Sequence, residues 1–295
     1  MSLRLEMLQV ARLAPKLLGE STPLVQAFLA TQCRPDGGFA GRSGASDLYY
    51  TVFGLDGLIA LRTEPLGNRT APYLRGFGHG EGLDFVHLCC LARCWAAVGG
   101  PVEAELRRGL LERLERGRTP DGGYAQEPGA AHGTVYGSFL ALGAYQDLQS
   151  GLRQADRLGE VLAQLATGDG AWTNHHPAHR QCGSTLATAA AVTLQRHLGL
   201  PTAAATAAWL LARHHPQGGF RATPDAPMPD LLSTATALHA LAGLETSLDS
   251  IREPCLDFLD SLWDNAGGFH GHWADDTLDC EYTFYGLLAL GHLSL

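Results

Sequence analysis

The sequence predicts an all-α fold of about six helical hairpins, and three observations carry that prediction. A turn phrase recurs as Asp36-Gly37-Gly38-Phe39, Asp121-Gly122-Gly123-Tyr124, Asp169-Gly170-Ala171-Trp172, Gln217-Gly218-Gly219-Phe220 and Ala266-Gly267-Gly268-Phe269, with the last four aromatics 48, 48 and 49 residues apart. A hydroxyl-led signature follows each turn after a polar loop, at Thr51, Thr134, Thr185, Thr234 and Thr283. The segments these threonines open, such as Thr185 to Val192, are small and apolar almost all round, as a helix buried on both sides requires.

The elements follow in chain order. Residues 1–20 carry Arg4, Glu6, Arg12 and Lys16 through an apolar pattern, unlike a signal peptide, and read as a capping amphipathic helix. Pro23 after Ser21-Thr22 marks the start of a first outer helix, and Pro201-Thr202 that of a later one. The repeats are led by Gly37, Gly76, Gly122, Gly170, Gly218 and Gly267, with Asp84-Phe85-Val86-His87-Leu88 supplying a degenerate second copy. Glu103 to Gly117 places Leu106, Leu110, Leu111 and Leu114 on one face and Arg107, Arg108, Glu112 and Arg116 on the other, so half-exposed outer helices alternate with buried inner ones. The Gly-Gly pairs suit the left-handed or close-packed positions at which an outer helix ends. No Pro/Ser linker or charge block divides the repeat, which predicts a single domain over residues 1–295.

Composition excludes several classes of partner. A net charge of -9 and a lone lysine, Lys16, leave no cluster of cations for a nucleic-acid backbone. No stretch approaches the roughly 18 apolar residues of a membrane span. Seven cysteines without a CxxC pair predict a reduced, cytoplasmic chain, with Cys89, Cys90 and Cys94 packed inside an inner helix.

The Gly-Gly-aromatic turn, the polar loop and the Asp-x-x-x-Thr-led buried helix together resemble the β subunit of protein prenyltransferases and the related terpene cyclases. Gly37 to Gly41, Asp47 to Leu58 and Gly267 to Phe269 carry the resemblance most closely, and it covers essentially the whole chain. It implies an α/α toroid: two rings of helices around an apolar cavity that holds an isoprenoid. Family β subunits also pair with a helical partner subunit, which would be met at exposed apolar positions of the outer ring.

In the prenyltransferases, zinc is held by an Asp and a Cys two residues apart at the start of the fifth inner helix, and by a His at the start of the sixth. The metal lowers the pKa of an acceptor thiol that attacks the prenyl diphosphate. Aligning the threonines puts Asp230 at the Asp position, Leu232 at the Cys position and Tyr282 at the His position, so one ligand of three survives. Other registers give Asp47, Tyr49 and His87, or Asp279, Glu281 and Tyr50; none restores the triad. The candidate metal ligands are therefore Asp230 and Asp279. Asp275-Asp276-Thr277-Leu278-Asp279 matches a magnesium-binding DDxxD pattern, with coincidence the commoner explanation of so short a motif. The DxDD acid of class II cyclases does not occur.

The family's diphosphate-binding Arg and Lys are replaced by Thr223 and Ala226, leaving Arg221 and Arg180 as candidate anion contacts. The expected catalytic residues are Asp230, Tyr282 and Glu281. The expected substrate contacts are Tyr49, Tyr50, His87, His132, Tyr136, Arg180 and Arg221, with the aromatics suited to a prenyl chain. Asp47, Asp84, Asp230 and Asp279 all precede inner helices, where capping is the competing role. The function these residues favour is binding of an isoprenoid or isoprenyl diphosphate, with prenyl transfer as its extension. The alternatives are a non-catalytic isoprenoid carrier or interaction scaffold and, third, an unusual terpene cyclase.

Overall fold

The computed structural model describes residues 1–63, 67–175 and 182–295. They form helices joined by turns, with one two-stranded ribbon in which β1 (Phe39–Ala40) pairs antiparallel with β2 (Ser46–Asp47). The chain divides into two compact units, one of residues 1–116, 143–151 and 262–295, the other of 117–142 and 152–261.

The first unit holds α1 (Leu3–Ala11), α2 (Pro15–Leu18), α3 (Thr22–Gln32), α4 (Leu48–Ala60), α5 (Gly67–Arg75), α6 (Phe85–Val98) and α7 (Ala104–Leu114). Its core is built on α4, which packs against α6 and against the C-terminal helix of the chain, Cys280–Leu293, while α1 packs on both α4 and that last helix. The Ser2 hydroxyl accepts a hydrogen bond from Leu5 N and caps α1. In the second unit, α9 (Ala155–Gln164), α10 (Thr185–Leu198), α11 (Ala205–Leu211), α12 (Leu231–Gly243) and α13 (Asp249–Ser261) surround a core in which α10 packs on α12. Helix α8 (Val135–Asp147) has residues in both units, and Cys280–Leu293 is α14.

Buried and half-exposed helices alternate as expected. All of α4 but Tyr49, Tyr50 and Ile59 is buried, and α12 and α14 are nearly so, whereas α7 buries only Leu110 and Leu114. Pro23 falls in the first turn of α3. Pro201 instead precedes the first residue of α11 by four positions.

One hydrogen-bonded device repeats. After each Gly-Gly or Gly-Ala pair the aromatic N–H donates to a hydroxyl on the next buried helix: Phe39 to Thr51 at 2.9 Å, Tyr124 to Ser138 at 3.3 Å, Trp172 to Thr188 at 3.1 Å, Phe220 to Thr234 at 2.9 Å and Phe269 to Thr283 at 3.4 Å. Thr51, Thr234 and Thr283 pass the bond on to the carbonyl four residues earlier, that of the capping Asp47, Asp230 or Asp279. Each acceptor is the fourth residue of its helix, so the equivalent positions in the third and fourth repeats are Ser138 and Thr188. Thr134 and Thr185, which the sequence pattern suggests, lie one turn earlier; proximity to the loop made them look equivalent.

The first glycine of each pair has a left-handed backbone, with φ of 94° at Gly37, 97° at Gly122, 98° at Gly170, 91° at Gly218 and 95° at Gly267. Gly76 does not share it; in that degenerate repeat the positive φ values fall on Gly78, Gly80 and Gly82. At Gly218 a Cβ would also collide with the Pro254 carbonyl of α13. Gly218→Ala therefore combines backbone strain with a clash, and thermal or urea unfolding should show a loss of at least about 1–3 kcal/mol. An unchanged midpoint would show that the close approach at Gly218 is not needed for stability.

Candidate functional site

The first unit gathers a chemically distinctive group at the start of α4, α6 and α14. Asp47, Asp84 and Asp279 each cap their helix: Asp47 accepts from Tyr49 N at 2.7 Å, Asp84 from His87 N at 2.9 Å and Asp279 from Tyr282 N at 2.9 Å. This capping fixes the first-turn side chains Tyr49, Tyr50, His87, Glu281 and Tyr282 in space.

Tyr49 donates its hydroxyl to Glu281 Oε1 at 2.6 Å, joining α4 to α14. Glu281 is only 9% exposed, and burial pushes its carboxyl up to about 7, with the Tyr49 hydrogen bond opposing and the Asp279 charge reinforcing the rise. Asp279, 4% exposed, is also raised by burial. Burial likewise raises the Tyr282 phenol to about 12, so it stays protonated at neutral pH.

Arg42, which the sequence reading passed over, bridges Asp275 (Nη2 to Oδ2, 3.2 Å) and Asp279 (Nε to Oδ2, 3.2 Å), and its guanidinium lies 5.4 Å from the centre of the Tyr282 ring. The DDxxD-like run therefore holds an arginine. His87 sits between Asp84, 2.9 Å from Nδ1, and Asp47, 3.6 Å from Nε2. Beyond the capping turn an aromatic strip continues inward: Tyr49 to Phe53 at 5.0 Å between ring centres, Phe53 to Tyr285 at 5.4 Å and Phe53 to Phe284 at 5.9 Å.

Six of the expected site residues, Tyr49, Tyr50, His87, Asp279, Glu281 and Tyr282, thus belong to one unit. Asp230, His132, Tyr136 and Arg221 belong to the other. There, Asp230 accepts from Ser233 N and from Ser233 Oγ, both at 2.7 Å, an N-cap with both oxygens occupied. His132 Nδ1 lies 3.6 Å from Asp121, and Tyr136 N donates to Asn174 Oδ1 at 2.9 Å. The Arg221 carbonyl accepts from the Thr185 hydroxyl. Arg180 lies outside the described residues.

The residues present do not fit the zinc of the resembled transferases. Leu232 offers no donor atom where the thiolate is required, Asp230 is committed to its cap, and the tyrosine at the third position is Tyr282. Among the described residues, no group of three or more His, Cys, Asp and Glu side chains is placed to hold a metal. The seven cysteines are free, and burial lifts the Cys90 thiol to about 12 and Cys280 higher still, far from thiolate chemistry.

A second polar group missed in the sequence lies deeper in the same unit. Asp56, fully buried in α4, accepts from Arg4 Nε of α1 at 2.8 Å and from Arg93 Nε of α6 at 3.0 Å. Asp147, 9% exposed, belongs to the same field, and burial pushes its carboxyl up to about 7. Charged residues inside the apolar runs Leu48 to Ala60 and Phe85 to Val98 were the available signal, because such charges persist only when paired.

Buried helices opened by a capping acid, alternating with amphipathic ones across Gly-Gly-aromatic turns, define an all-α toroid of helical hairpins. The chain belongs to the prenyltransferase alpha-alpha toroid domain family, whose model matches residues 14–75 and 187–294, more than half of the sequence. Among solved structures, it is similar to a variant of the type II terpene cyclase MstE from Scytonema in complex with its substrate geranylgeranyl dihydroxybenzoate, with a TM-score of 0.66 and 16% identity over 95% of this chain and 97% of that one. It is also similar to Candida albicans protein geranylgeranyltransferase-I complexed with GGPP, with a TM-score of 0.55 and 14% identity over 98% of this chain and 82% of that one. The GH76A alpha-1,6-mannanase from Salegentibacter sp. HEL1_6 shares the fold as well, at a TM-score of 0.64 and 13% identity over 93% and 98% of the two chains. No curated protein matches the sequence. Among the described residues, no helix is long and apolar enough to cross a membrane.

The raised carboxyls have a consequence for stability. Between the ordinary carboxylate range and about pH 7 the folded state holds protons at Glu281 and Asp147 that the unfolded chain releases, so stability falls as pH rises through that window. The unfolding midpoint is expected to drop between pH 5 and pH 7, and Glu281→Gln with Asp147→Asn should flatten that slope. A slope that the double variant leaves intact would assign the dependence to other groups.

Proposed function

We propose that the protein binds an isoprenoid along the aromatic strip of Tyr49, Phe53 and Tyr285, and that Glu281 is the proton donor that acts on it. The observation that carries this reading is the Tyr49–Glu281 pair: a buried carboxyl, raised to about 7, set at the end of a row of aromatic faces. A neutral carboxylic acid is a competent general acid near neutral pH. Donating its proton to a carbon–carbon double bond forms a C–H bond from the π pair and leaves a cation on the neighbouring carbon. The Tyr49 hydroxyl then stabilises the resulting Glu281 carboxylate, while the aromatic faces stabilise the cation. A later proton loss from the hydrocarbon restores neutrality. The chemistry needs no leaving group, which agrees with a site dominated by carboxylates. The similarity to a terpene cyclase that takes a geranylgeranyl dihydroxybenzoate supports the same reading.

Arg42 favours a second reading, prenyl transfer from an isoprenyl diphosphate. Its side chain is 46% exposed and reaches the capping Asp279, although Asp275 and Asp279 already share its charge. In that reading Tyr282 and Glu281 would face the acceptor, and the helical partner subunit of the resembled transferases would be needed.

The purified protein, incubated with a geranylgeranyl dihydroxybenzoate, should convert it to an isomer of equal mass with fewer double bonds. Glu281→Gln should lower that rate by about 10²-fold or more while affinity changes little. Undiminished conversion in Glu281→Gln would contradict the role of the carboxyl. Tight binding without conversion by the unaltered protein would leave an isoprenoid carrier in place of an enzyme.

A further inference from the structure

The ribbon loop between β1 and β2 is a closed turn. Gly41 N donates to the Ala45 carbonyl and Gly44 N to the Gly41 carbonyl, each at 2.8 Å, and Arg34 Nε fastens the tip through the Gly44 carbonyl at 3.0 Å. From this turn Arg42 reaches the loop that leads into α14, 233 residues further on at Asp275 and 237 at Asp279. The guanidinium holds Asp279 through Nε and Asp275 through Nη2, each at 3.2 Å, and stands 5.4 Å from the centre of the Tyr282 ring. A single side chain thus ties a loop of the first repeat to a loop of the last.

Two of these contacts, Asp279 and Tyr282, lie on either side of Glu281 in the chain. The side chain of Arg42 is 46% exposed and that of Asp279 4%, while Glu281 is 9% exposed, so the arginine forms the outer layer and the acid the inner one. Within that inner layer Tyr49 and Glu281 are hydrogen-bonded, and the residues that follow them, Tyr50 and Tyr282, each have a loop glycine packed against the ring. A Cβ at Gly41 would stand 3.2 Å from the Tyr50 ring, and one at Gly271 would collide with the ring of Tyr282. Two loops therefore lie on two tyrosines, and Arg42 links the loops across the turn that carries the acid.

We propose, resting on the isoprenoid reading above, that Arg42 is a product-determining residue: it straps the ribbon loop over the first turn of α14 and keeps water from the cation that Glu281 generates. With the strap closed, the cation loses a proton and leaves as an isomer of the substrate. With the strap open, a water oxygen attacks the cation, a C–O bond forms, and the water gives up a proton to the Glu281 carboxylate. The product is then an alcohol heavier than the substrate by one water. Closing a site against water guards a reactive intermediate in this way. Ion pairs as exposed as these hold weakly and are screened by salt, which suits a strap that opens to admit substrate and closes behind it.

The products formed from a geranylgeranyl dihydroxybenzoate, resolved by mass, test the assignment. The unaltered protein should give chiefly the isomer, and Arg42→Gln should raise the share of alcohol at least about fivefold. Asp275→Asn removes one of the two links without touching the Asp279 cap, and should give a smaller rise of about twofold, as should high ionic strength acting on the unaltered protein. Hydrogen exchange supplies a readout apart from activity: in Arg42→Gln the amides of residues 41–45 and 271–277 should exchange faster together. An unchanged alcohol share in both variants, with the isomer still formed, would overturn the strap and leave Glu281 as the acid. Unchanged exchange in the two loops would overturn it whatever the products. No conversion by the unaltered protein would overturn the strap together with the acid it shields.

Discussion

The hydrogen bond from each turn aromatic to a hydroxyl one turn into the next buried helix governs where the chemistry sits. In α4, α12 and α14 the hydroxyl relays the bond to the carbonyl of the capping aspartate, so turn, cap and helix start form one unit. The left-handed glycine ahead of the aromatic lets the chain approach the neighbouring outer helix closely enough for this to happen. Once the helix start is fixed, its next side chains have few directions available, and Tyr49 and Glu281 meet because two such starts, those of α4 and α14, pack together.

Among the described residues, the same device in the other unit produces no comparable group. Asp230 caps α12 as Asp279 caps α14, yet its neighbours are Leu231, Leu232 and Ser233, and Ser233 takes both carboxylate oxygens. Around Asp279 the neighbours are Glu281 and Tyr282, and the second oxygen goes to Arg42. An identical backbone role thus leaves a structural cap in one place and a charged, half-buried cluster in the other. The difference lies in three adjacent residues and in the arginine supplied by the ribbon loop between β1 and β2.

The all-α hairpin pattern and the capping acids were legible in the sequence because both rest on local rules: helical period, glycine at a turn, and a carboxylate before a buried helix. The register of the third and fourth repeats was not, since Thr134 and Thr185 precede the true acceptors Ser138 and Thr188 by one turn and look equivalent in a linear pattern. Of the site, Tyr49, Glu281 and Tyr282 were legible as first-turn residues. Arg42, Arg93, Asp56 and Asp147 were not, because their meaning depends on pairings such as Arg4 with Asp56, 52 residues apart, and Arg42 with Asp279, 237 residues apart. The family's zinc ligands gave no guide to these residues: the chain keeps the scaffold and carries a different set of polar groups on it.

The most direct test of isoprenoid binding along the aromatic strip is a crystal structure of the protein with a geranylgeranyl dihydroxybenzoate bound. Density for the hydrocarbon is expected along Tyr49, Phe53 and Tyr285, with a double bond against Glu281. Density confined to another surface, such as the crease between α5, α6 and α7 lined by Arg75, Trp95 and Leu106, would contradict it.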